Sequence, residues 1–328
     1  MPPRALVFRG RGALFSTVWH VVGFVQVAKK NGQVPIVDLK TSEALNSWVG
    51  KTPRNSWTQY FEPVSDGKLE DHLATGDFSV FDRRPIEFPV EEYSADHNYR
   101  ELFHQVIQLS DRAKAYVEPW LEMLSESGHV LGVHLRGTDM RIAKSHLAPP
   151  TARQYFITVD EALERGPFDS IFLASEDERL VSQAIRRYGK RIVLSDSFRT
   201  RRARKITRSS SAVLQWRYLL GFQVIRDAWM LSRCHGLVSG HSNVSEHAQV
   251  LRDDAFSVNL QIRRPRVDVL GSSVPAIRAT NLLRKMTVAR YEGPDFKVVD
   301  RSANPFELAP RRRLNRKSLN HPERLGLF

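Results

Sequence analysis

The chain has 328 residues, of which 41% are hydrophobic and 26% charged, and its formal net charge is +13. This apolar content excludes an intrinsically disordered chain, and no run approaches the roughly 18 apolar residues of a membrane-spanning helix. At about 100–200 residues per domain, the length predicts two domains.

The first elements predict the start of an α/β domain. ALVFR at 5–9 is a strand candidate, followed by glycine-rich GRGAL and by an apolar helical stretch for which Ser16 is the expected N-cap. Asn31-Gly32, after two lysines, predicts the helix end, and VPIVDL at 34–39 predicts a buried strand. Strand, loop, helix and strand in this order are typical of α/β domains.

The next hundred residues carry a weaker signal. Residues 41–98 are rich in Ser, Asn, Pro and aromatic residues and show little periodicity, which predicts loops and short helices. A longer helix is predicted over about 99–126, ending near the glycine of SESGH.

From 129 to 260, short apolar runs alternate regularly with helical patterns. Five runs bounded by turn residues predict strands: HVLGVHL, SIFLAS, RIVLSD, HGLVSG and AFSVNL. Helical patterns occur between them, at roughly 151–165, 178–189, 212–234 and 243–252. This alternation predicts an α/β fold with a doubly wound parallel sheet.

Polar or small residues follow four of these strands. They are HLRGTD at 134–139, SED at 175–177, SDS at 195–197 and SGHSN at 239–243. Ligands of open α/β sheets bind beyond the carboxyl ends of the strands. We therefore predict one binding site at this rim.

Two of these strand ends suit an anion. The SGHSN turn opens into a helix, whose free backbone N–H groups and dipole favour a phosphate, although an ordinary N-cap by Ser242 or Asn243 is the alternative. Arg136 offers a fork of donors that matches phosphate oxygens, and its alternative role is a surface ion pair. His134 can recognise a base or a phosphate, but a structural hydrogen bond is the commoner role of a lone histidine beside a strand.

Two aspartates in this part of the sequence need an explanation. Asp139 can orient Arg136, contact a hydroxyl or cap the following segment. Asp227 interrupts a stretch suited to a buried helix, where an unpaired carboxylate is costly. Neither Arg226 nor Arg233 lies three or four residues away, so we expect no ion pair within the helix. A ligand contact is favoured, with simple exposure as the alternative.

The charge is unevenly distributed. Residues 1–198 hold 24 basic and 26 acidic residues, 199–259 hold 10 and 4, and 260–328 hold 15 and 6. This asymmetry predicts an anionic partner, which can be nucleic acid, a nucleotide, a phosphorylated glycan or a membrane. Six basic residues between 199 and 208 predict a solvated loop or a flap over an anionic substrate, and an exposed basic tail is predicted after about residue 310.

Three motifs resemble the fucosyltransferase superfamily that includes α-1,6-fucosyltransferases, nodulation fucosyltransferases and protein O-fucosyltransferases. VHLRGTD is similar to the first motif, IFLASEDERL to the second and RDAWMLSRCHGLVSGHSNVSEHA to the third. The opening GRGALFSTVWHVVGFVQVAKKNGQVPIVD resembles the glycine-rich loop and helix of the family. The resemblance covers about 5–40 and 129–252, and three motifs in order at strand ends are more specific than any one alone.

The resemblance implies a GT-B glycosyltransferase with two Rossmann-like domains facing across a cleft. Residues 1–126 would form the acceptor-side domain, 127–275 the nucleotide-sugar-binding domain, and 276–328 an extension with a basic tail. The implied reaction is an inverting, metal-independent transfer of fucose from GDP-fucose to a glycan or lipid-linked hydroxyl, with no cofactor.

The resemblance also implies roles for individual residues. His134 and Asp227 would recognise guanine, while Arg136 and Ser242 would hold the diphosphate, with Arg136 also stabilising the departing GDP. Gly137 stands where some members have a second Arg. The remaining residues implied for the site are Ser175, Asp177 and Asn243 near the nucleotide sugar, and Gly12, Phe15 and His20 of the N-terminal loop.

The catalytic base stays open in this comparison. Members acting on N-glycan cores carry a Glu about ten residues past the motif histidine, where this chain has Lys144. His146, Asp139 and Asp38 are the candidates here, and a reaction without an obvious protein base is the alternative.

Three other functions remain open at this point. The same fold can use another nucleotide sugar, or bind glycan without catalysis, as Lys144 allows. A pI of about 10.1 suits a nucleic-acid-binding protein, although the sequence contains no helix-turn-helix, zinc-finger or RNA-recognition motif. The single cysteine, Cys234, excludes an intramolecular disulfide framework. With no signal peptide expected, it favours the cytoplasm, with contact at the inner face of a membrane as an option.

Overall fold

The computed structural model describes residues 4–10, 13–39, 55–81, 99–137, 149–201, 211–263 and 297–302. Within these ranges the helices and strands are, in chain order, β1 (Ala5–Phe8), α1 (Leu14–Lys30), β2 (Val34–Val37), α2 (Leu69–Thr75), β3 (Phe78–Phe81), α3 (Tyr99–Val106), α4 (Asp111–Ser125), β4 (Val130–His134), α5 (Ala152–Arg165), β5 (Ser170–Ala174), α6 (Glu178–Tyr188), β6 (Ile192–Val193), α7 (Ser211–Arg233), β7 (Gly236–Gly240), α8 (Asn243–Leu251), β8 (Val258–Arg263) and β9 (Lys297–Asp300).

The N-terminal half forms a parallel three-stranded sheet in the order β2-β1-β3. Strand β1 is central, with Ala5 paired to Val34 of β2 and to Phe78 of β3. The predicted strands at 5–9 and 34–39 are confirmed. Strand β3 was not predicted, because its four residues are only partly buried and show no apolar run of the kind seen in β1.

Helix α1 ends as predicted but begins earlier. Asn31 is its C-cap, and Gly32 adopts a left-handed conformation with φ of 64°. The prediction of Ser16 as N-cap is wrong: Ala13 is the N-cap, and it makes no side-chain capping bond. Because Leu14 is buried in the core, packing extends the helix past the expected capping residue.

The predicted helix over 99–126 is two helices, α3 and α4. Ser110 is the N-cap of α4, and its hydroxyl accepts a hydrogen bond from Ala113 N at 3.3 Å. Immediately before it, the chain pairs with a distant segment, since Ser110 N donates to Tyr60 O at 3.0 Å. Glu62 N likewise donates to Gln108 O at 2.9 Å. These long-range bonds explain why local periodicity did not reveal the break.

The second half forms a six-stranded sheet in the order β6-β5-β4-β7-β8-β9. Strands β4 to β8 are parallel, and β9 is antiparallel to β8. The predicted doubly wound parallel sheet is confirmed, although β9 was not foreseen. Counted along the chain from β4, this is the strand order of a Rossmann fold, in which the order reverses between β4 and β7. A crevice at the carboxyl ends of those two strands is where such sheets bind ligands.

The two halves share a hydrophobic core. One cluster of buried residues joins Phe8 of β1 and Phe24 of α1 to Phe172 of β5 and Ile225 of α7. A second cluster fills the opposite face of the larger sheet, beneath α5 and α6. Side chains alternate between the two faces of β4, which fits a strand buried on both sides. The domain boundaries stay a prediction.

The N-terminal half also forms hydrogen bonds to the carboxyl end of α8. Arg100 of α3 donates from Nε to Val250 O at 3.3 Å and from Nη1 to Asp253 O at 3.0 Å. His104 Nε2 donates to the same Val250 carbonyl at 3.1 Å. Side-chain donors at this position satisfy carbonyls that a helix end leaves without partners, and the Arg100 charge complements the helix dipole.

Candidate functional site

The ends of three adjacent strands meet at the point where the strand order reverses. In the ladder, His134 of β4 pairs with Ala174 of β5 on one side and with Ser239 of β7 on the other. The polar segments at 134–137, 175–177 and 239–243 therefore lie side by side, as the sequence pattern predicted. The segment at 195–197 follows β6, which lies beyond β5.

The segment after β4 is held by its neighbours. His134 is buried, and Arg136 is half-buried, with its backbone N donating to the Tyr155 hydroxyl at 3.3 Å. Gly137 N donates to Glu176 Oε1 at 3.1 Å. A Cβ at Gly137 would stand 2.4 Å from Asp177 Oδ2, so any larger residue would displace the Asp177 side chain. This contact favours glycine at position 137.

Ser175 and Asp177 cap the turn that follows β5. The Ser175 hydroxyl accepts from Asp177 N at 3.2 Å, and the Asp177 carboxylate accepts from Arg179 N at 3.0 Å as the N-cap of α6. Both side chains are buried. Their local hydrogen bonds are structural, and they line the rim beside Gly137.

Asp227 lies in an ion pair, which corrects one prediction. Arg226 Nη2 lies 3.0 Å from Asp227 Oδ1, although the residues are adjacent and no pair within the helix was expected. The spacing rule applies to side chains that lie along an isolated helix surface. Here both side chains instead turn toward the loop after β6, where Arg226 also bonds the Asp196 carboxylate. The Arg226 guanidinium is fully buried and stacks 4.6 Å from the Trp120 ring.

Two serines complete the environment of the Asp227 carboxylate. Ser195 donates to Oδ1 at 3.1 Å, and Ser197 donates to Oδ2 at 3.2 Å. Burial raises the pKa of Asp227, while the Arg226 charge and these hydrogen bonds oppose the rise. The result is a carboxylate of fixed orientation beside the carboxyl end of β6.

The SGHSN turn is the start of α8, and Ser242 is its N-cap. The Ser242 hydroxyl accepts from Val244 N at 3.3 Å, which is the ordinary capping role considered above. Asn243 is the first helical residue and is exposed. His241 is also exposed, and its Nδ1 lies 3.6 Å from Glu246 Oε1.

Glu246 is the centre of a buried polar network that the sequence analysis missed. Its Oε1 accepts from Gln261 Nε2 at 2.6 Å, and Arg301 Nη1 lies 3.0 Å from Oε2. Burial alone would raise the pKa of Glu246, but the nearby His241 ring, the charge of Arg301 and the hydrogen bond from Gln261 hold it well below the usual range. Arg301 is 55 residues away in the sequence, so no local signal could have identified the pair.

The N-terminal residues are placed differently from the expectation. Phe15 and His20 lie within α1 rather than in the loop before it, and both are buried. Burial lowers the pKa of His20. Gly12 lies outside the described residues, as do Asp139, Lys144 and His146.

The described residues also include the third candidate base. Asp38, at the carboxyl end of β2, is buried, and its Oδ2 lies 3.3 Å from Arg9 Nε. Of the basic loop only 199–201 is described, and the tail after 310 is not. Thr200 N donates to Glu176 O at 2.9 Å, so the start of this loop returns to the end of β5.

The described part of the chain offers neither a metal-ion cluster nor a membrane-spanning helix. It contains no group of three or more His, Cys, Asp or Glu side chains placed to hold a metal ion. It also contains no helix with the length and apolar character required to cross a bilayer.

Comparisons with known proteins identify the fold. No protein-family profile matches the chain, and no curated protein sequence matches it significantly. The structure of NodZ α-1,6-fucosyltransferase soaked with GDP-fucose is similar, with a TM-score of 0.56 and 12% identity over 91% of this chain and 99% of that chain. NodZ co-crystallised with GDP gives 0.55 and 15%, over 81% and 96%. NodZ from Bradyrhizobium gives 0.55 and 13%, over 80% and 96%. The predicted GT-B, fucosyltransferase-like fold is thereby confirmed.

Proposed function

We propose that this chain, which has the fold of the NodZ fucosyltransferases, is a glycosyltransferase that transfers fucose from GDP-fucose to a glycan hydroxyl. The observation that carries the proposal is the meeting of His134, Arg136 and the 239–243 turn where the strand order reverses. A Rossmann sheet binds nucleotides at this place. NodZ structures were obtained with GDP-fucose and with GDP, which supports the choice of donor.

The donor diphosphate is proposed to lie between Arg136 and the amino end of α8. The Arg136 guanidinium supplies a fixed positive charge and paired donors, and the helix end supplies backbone N–H groups. Because the Ser242 hydroxyl already caps α8, its proposed contribution to phosphate binding comes through the backbone of the turn. Asn243, the first residue of α8, is exposed and is proposed to contact the same ligand.

The guanine is proposed to lie near Asp227 and His134. A carboxylate oxygen can accept two hydrogen bonds, and Asp227 Oδ2 accepts one from Ser197, which leaves room for a donor on the guanine edge. Ser175, Asp177 and Gly137 form the adjoining rim, so their role is to shape the site between base and sugar.

The proposed transfer inverts the sugar and uses no metal. The bond between fucose C1 and the β-phosphate oxygen breaks, and its electron pair leaves with GDP. The acceptor oxygen forms the new bond from the opposite face of C1 and loses its proton. Arg136 would stabilise the charge on departing GDP, as preorganised cationic donors do in sites of this kind.

We propose that the proton of the acceptor hydroxyl passes to one of the three candidate bases or is lost without a dedicated protein base. Asp38 is engaged in an ion pair with Arg9. His146 and Asp139 remain candidates by sequence. A weak base suffices when the bond to the leaving group is largely broken before the acceptor attacks.

The acceptor is proposed to be a glycan or lipid-linked saccharide that binds on the side of residues 1–126. The basic excess beyond residue 198 supports an anionic acceptor or membrane surface, and we propose a cytoplasmic enzyme, with contact at the inner face of a membrane as an option. Cys234 is buried, and burial raises the pKa of its thiol, which keeps it unreactive.

Arg136→Ala tests the proposal. We expect GDP-fucose, at a concentration 100 times its Kd, to stabilise the wild-type chain by about 2.7 kcal/mol in thermal unfolding, whereas UDP-sugars have no effect. Arg136→Ala and Arg136→Lys should abolish transfer of fucose and leave the melting temperature of the free protein near its wild-type value. Arg186→Ala, at an exposed position on α6, is the matched control and should keep full activity. Normal turnover in Arg136→Ala would refute the proposal.

A further inference from the structure

His241 and Arg136 occupy equivalent positions at the ends of neighbouring strands. The ladder between β4 and β7 pairs His134 with Ser239. Counting two residues onward along each chain reaches Arg136 on one side and His241 on the other. Both residues therefore follow neighbouring strand ends at the same rim, where one ligand can meet both side chains.

The hydroxyl of Tyr155 lies against both strand ends. It accepts a hydrogen bond from Arg136 N at 3.3 Å. On the other strand, a Cβ at Gly240 would stand 2.6 Å from the same oxygen, which shows that the hydroxyl also contacts the residue before His241. Tyr155 is fully buried in α5, so it sets a fixed spacing between the two segments.

The Glu246 carboxylate orients the His241 ring. Nδ1 lies 3.6 Å from Oε1, so the opposite nitrogen, Nε2, lies on the side away from the carboxylate. The side chain of His241 is 77% exposed, and that of Glu246 is 10% exposed. Arg301 and Gln261 hold Glu246 from beneath, so its position does not depend on the histidine. The described charged group in contact with His241 is thus Glu246, whose carboxylate is bound in turn by Arg301 and Gln261.

We propose that His241 is a second cationic contact to the diphosphate of the nucleotide donor, opposite Arg136. This inference rests on the proposed function. A protonated imidazole donates from both nitrogens, so the ring bridges the Glu246 carboxylate through Nδ1 and a phosphate oxygen through Nε2. Glu246 and Arg301 act as positioning residues, because they touch the ring or its partner and not the ligand.

The two cations have different tasks in this arrangement. Arg136 carries a permanent charge in a planar fork, which suits bidentate contact with the diphosphate. His241 directs one donor, Nε2, toward the ligand, while its Nδ1 faces the buried Glu246 carboxylate. A fixed donor of this kind stabilises the negative charge that grows on GDP as the bond to the sugar breaks, with little reorganisation.

Binding of GDP and of guanosine to three full-length proteins tests the inference. His241→Gln keeps a hydrogen-bonding side chain but removes the charge, and we expect about tenfold weaker GDP binding, the usual effect of losing one charge-assisted hydrogen bond. His241→Lys restores a cation and should bind GDP within about threefold of wild type. Guanosine, which lacks phosphate, should bind all three proteins equally. Isothermal titration calorimetry measures these affinities, and competition with GDP measures guanosine.

The controls separate this inference from the proposed function. His72→Gln changes a histidine on α2, far along the chain from the site, and should leave GDP binding unaltered. A wild-type protein that does not bind GDP would refute the proposed donor and the inference together. Wild-type binding with equal GDP affinity in His241→Gln would overturn the inference alone. An equal loss for guanosine and GDP would also overturn it, because the effect would then not lie at the phosphates.

Discussion

His247 shows how a single buried side chain links stability to pH. It is on α8, fully buried, with ring centroids of Phe15 and Trp19 each 4.5 Å away and that of Phe103 at 5.5 Å. Its Nδ1 lies 2.6 Å from Asn243 O, while Nε2 has no hydrogen-bond partner among the described residues. Burial lowers the pKa of His247 to about 3. The folded protein therefore holds this ring neutral.

We predict that this histidine destabilises the fold in acid. In the unfolded chain an ordinary histidine takes up a proton below about pH 6.5, whereas folded His247 does so only near pH 3. The unfolded state binds more protons between these values, so stability falls as pH falls through that window. The expected loss between pH 8 and pH 5 is about 2 kcal/mol. Urea unfolding at both pH values measures it. His247→Phe should remove that part of the slope, and an unchanged slope in this variant would contradict the assignment.

Individual residues also show where predictions from local sequence fail. Arg136, the SGHSN turn and the segment after β5 were placed correctly at one rim, since strand ends in a parallel sheet necessarily share an edge. The pairing of Arg226 with Asp227 was missed because a spacing rule for exposed helices does not describe two side chains that turn into a neighbouring loop. Arg301 was missed because its partner, Glu246, is close only in the folded chain.

At the scale of elements, burial decided what the sequence could reveal. Strands β4, β5 and β7 are buried along their whole length, so they appear as continuous apolar runs and were predicted within one or two residues. Strands β3 and β9 lie at the edges of their sheets and lack that pattern. The break between α3 and α4 depends on hydrogen bonds to residues 60–62, which no window of local sequence contains.

The N-cap at that break yields a prediction for α4. Ser110→Ala removes the hydroxyl that accepts from Ala113 N, and we expect a loss of about 1 kcal/mol in the free energy of unfolding. Ser125→Ala, at the exposed last position of the same helix, is the control and should change stability by less than about 0.5 kcal/mol. Equal effects from the two substitutions in urea unfolding would argue against the capping role.

For the whole molecule, the segment 297–302 ties the chain's last described strand to the candidate site. Strand β9 pairs with β8, and Arg301, which directly follows β9, forms an ion pair with the buried Glu246 carboxylate. The Arg301 side chain is only 1% exposed. A buried ion pair of this kind contributes little net stability when intact, but loss of one partner leaves an uncompensated charge.

We predict that Arg301→Ala destabilises the protein strongly. The expected loss is about 3–5 kcal/mol in the free energy of unfolding, because Glu246 stays buried without its cation. The double variant Arg301→Met with Glu246→Gln removes both charges and should recover part of this loss. Val298→Ala, at an exposed position on β9, is the control. If the double variant proves no more stable than Arg301→Ala in urea unfolding, the uncompensated charge is not the cause.

Helix α8 has one end at the proposed phosphate turn, and its other end is hydrogen-bonded to Arg100 and His104. At about 1.5 Å per residue, its nine residues form a rigid helix about 13 Å long that joins these two ends. A rotation of the N-terminal half must therefore either break those bonds or carry the turn with it. Movement of α3 and geometry of the phosphate turn are thus mechanically linked. Any opening of the molecule to admit an acceptor would therefore displace the amino end of α8, where the donor is expected to bind.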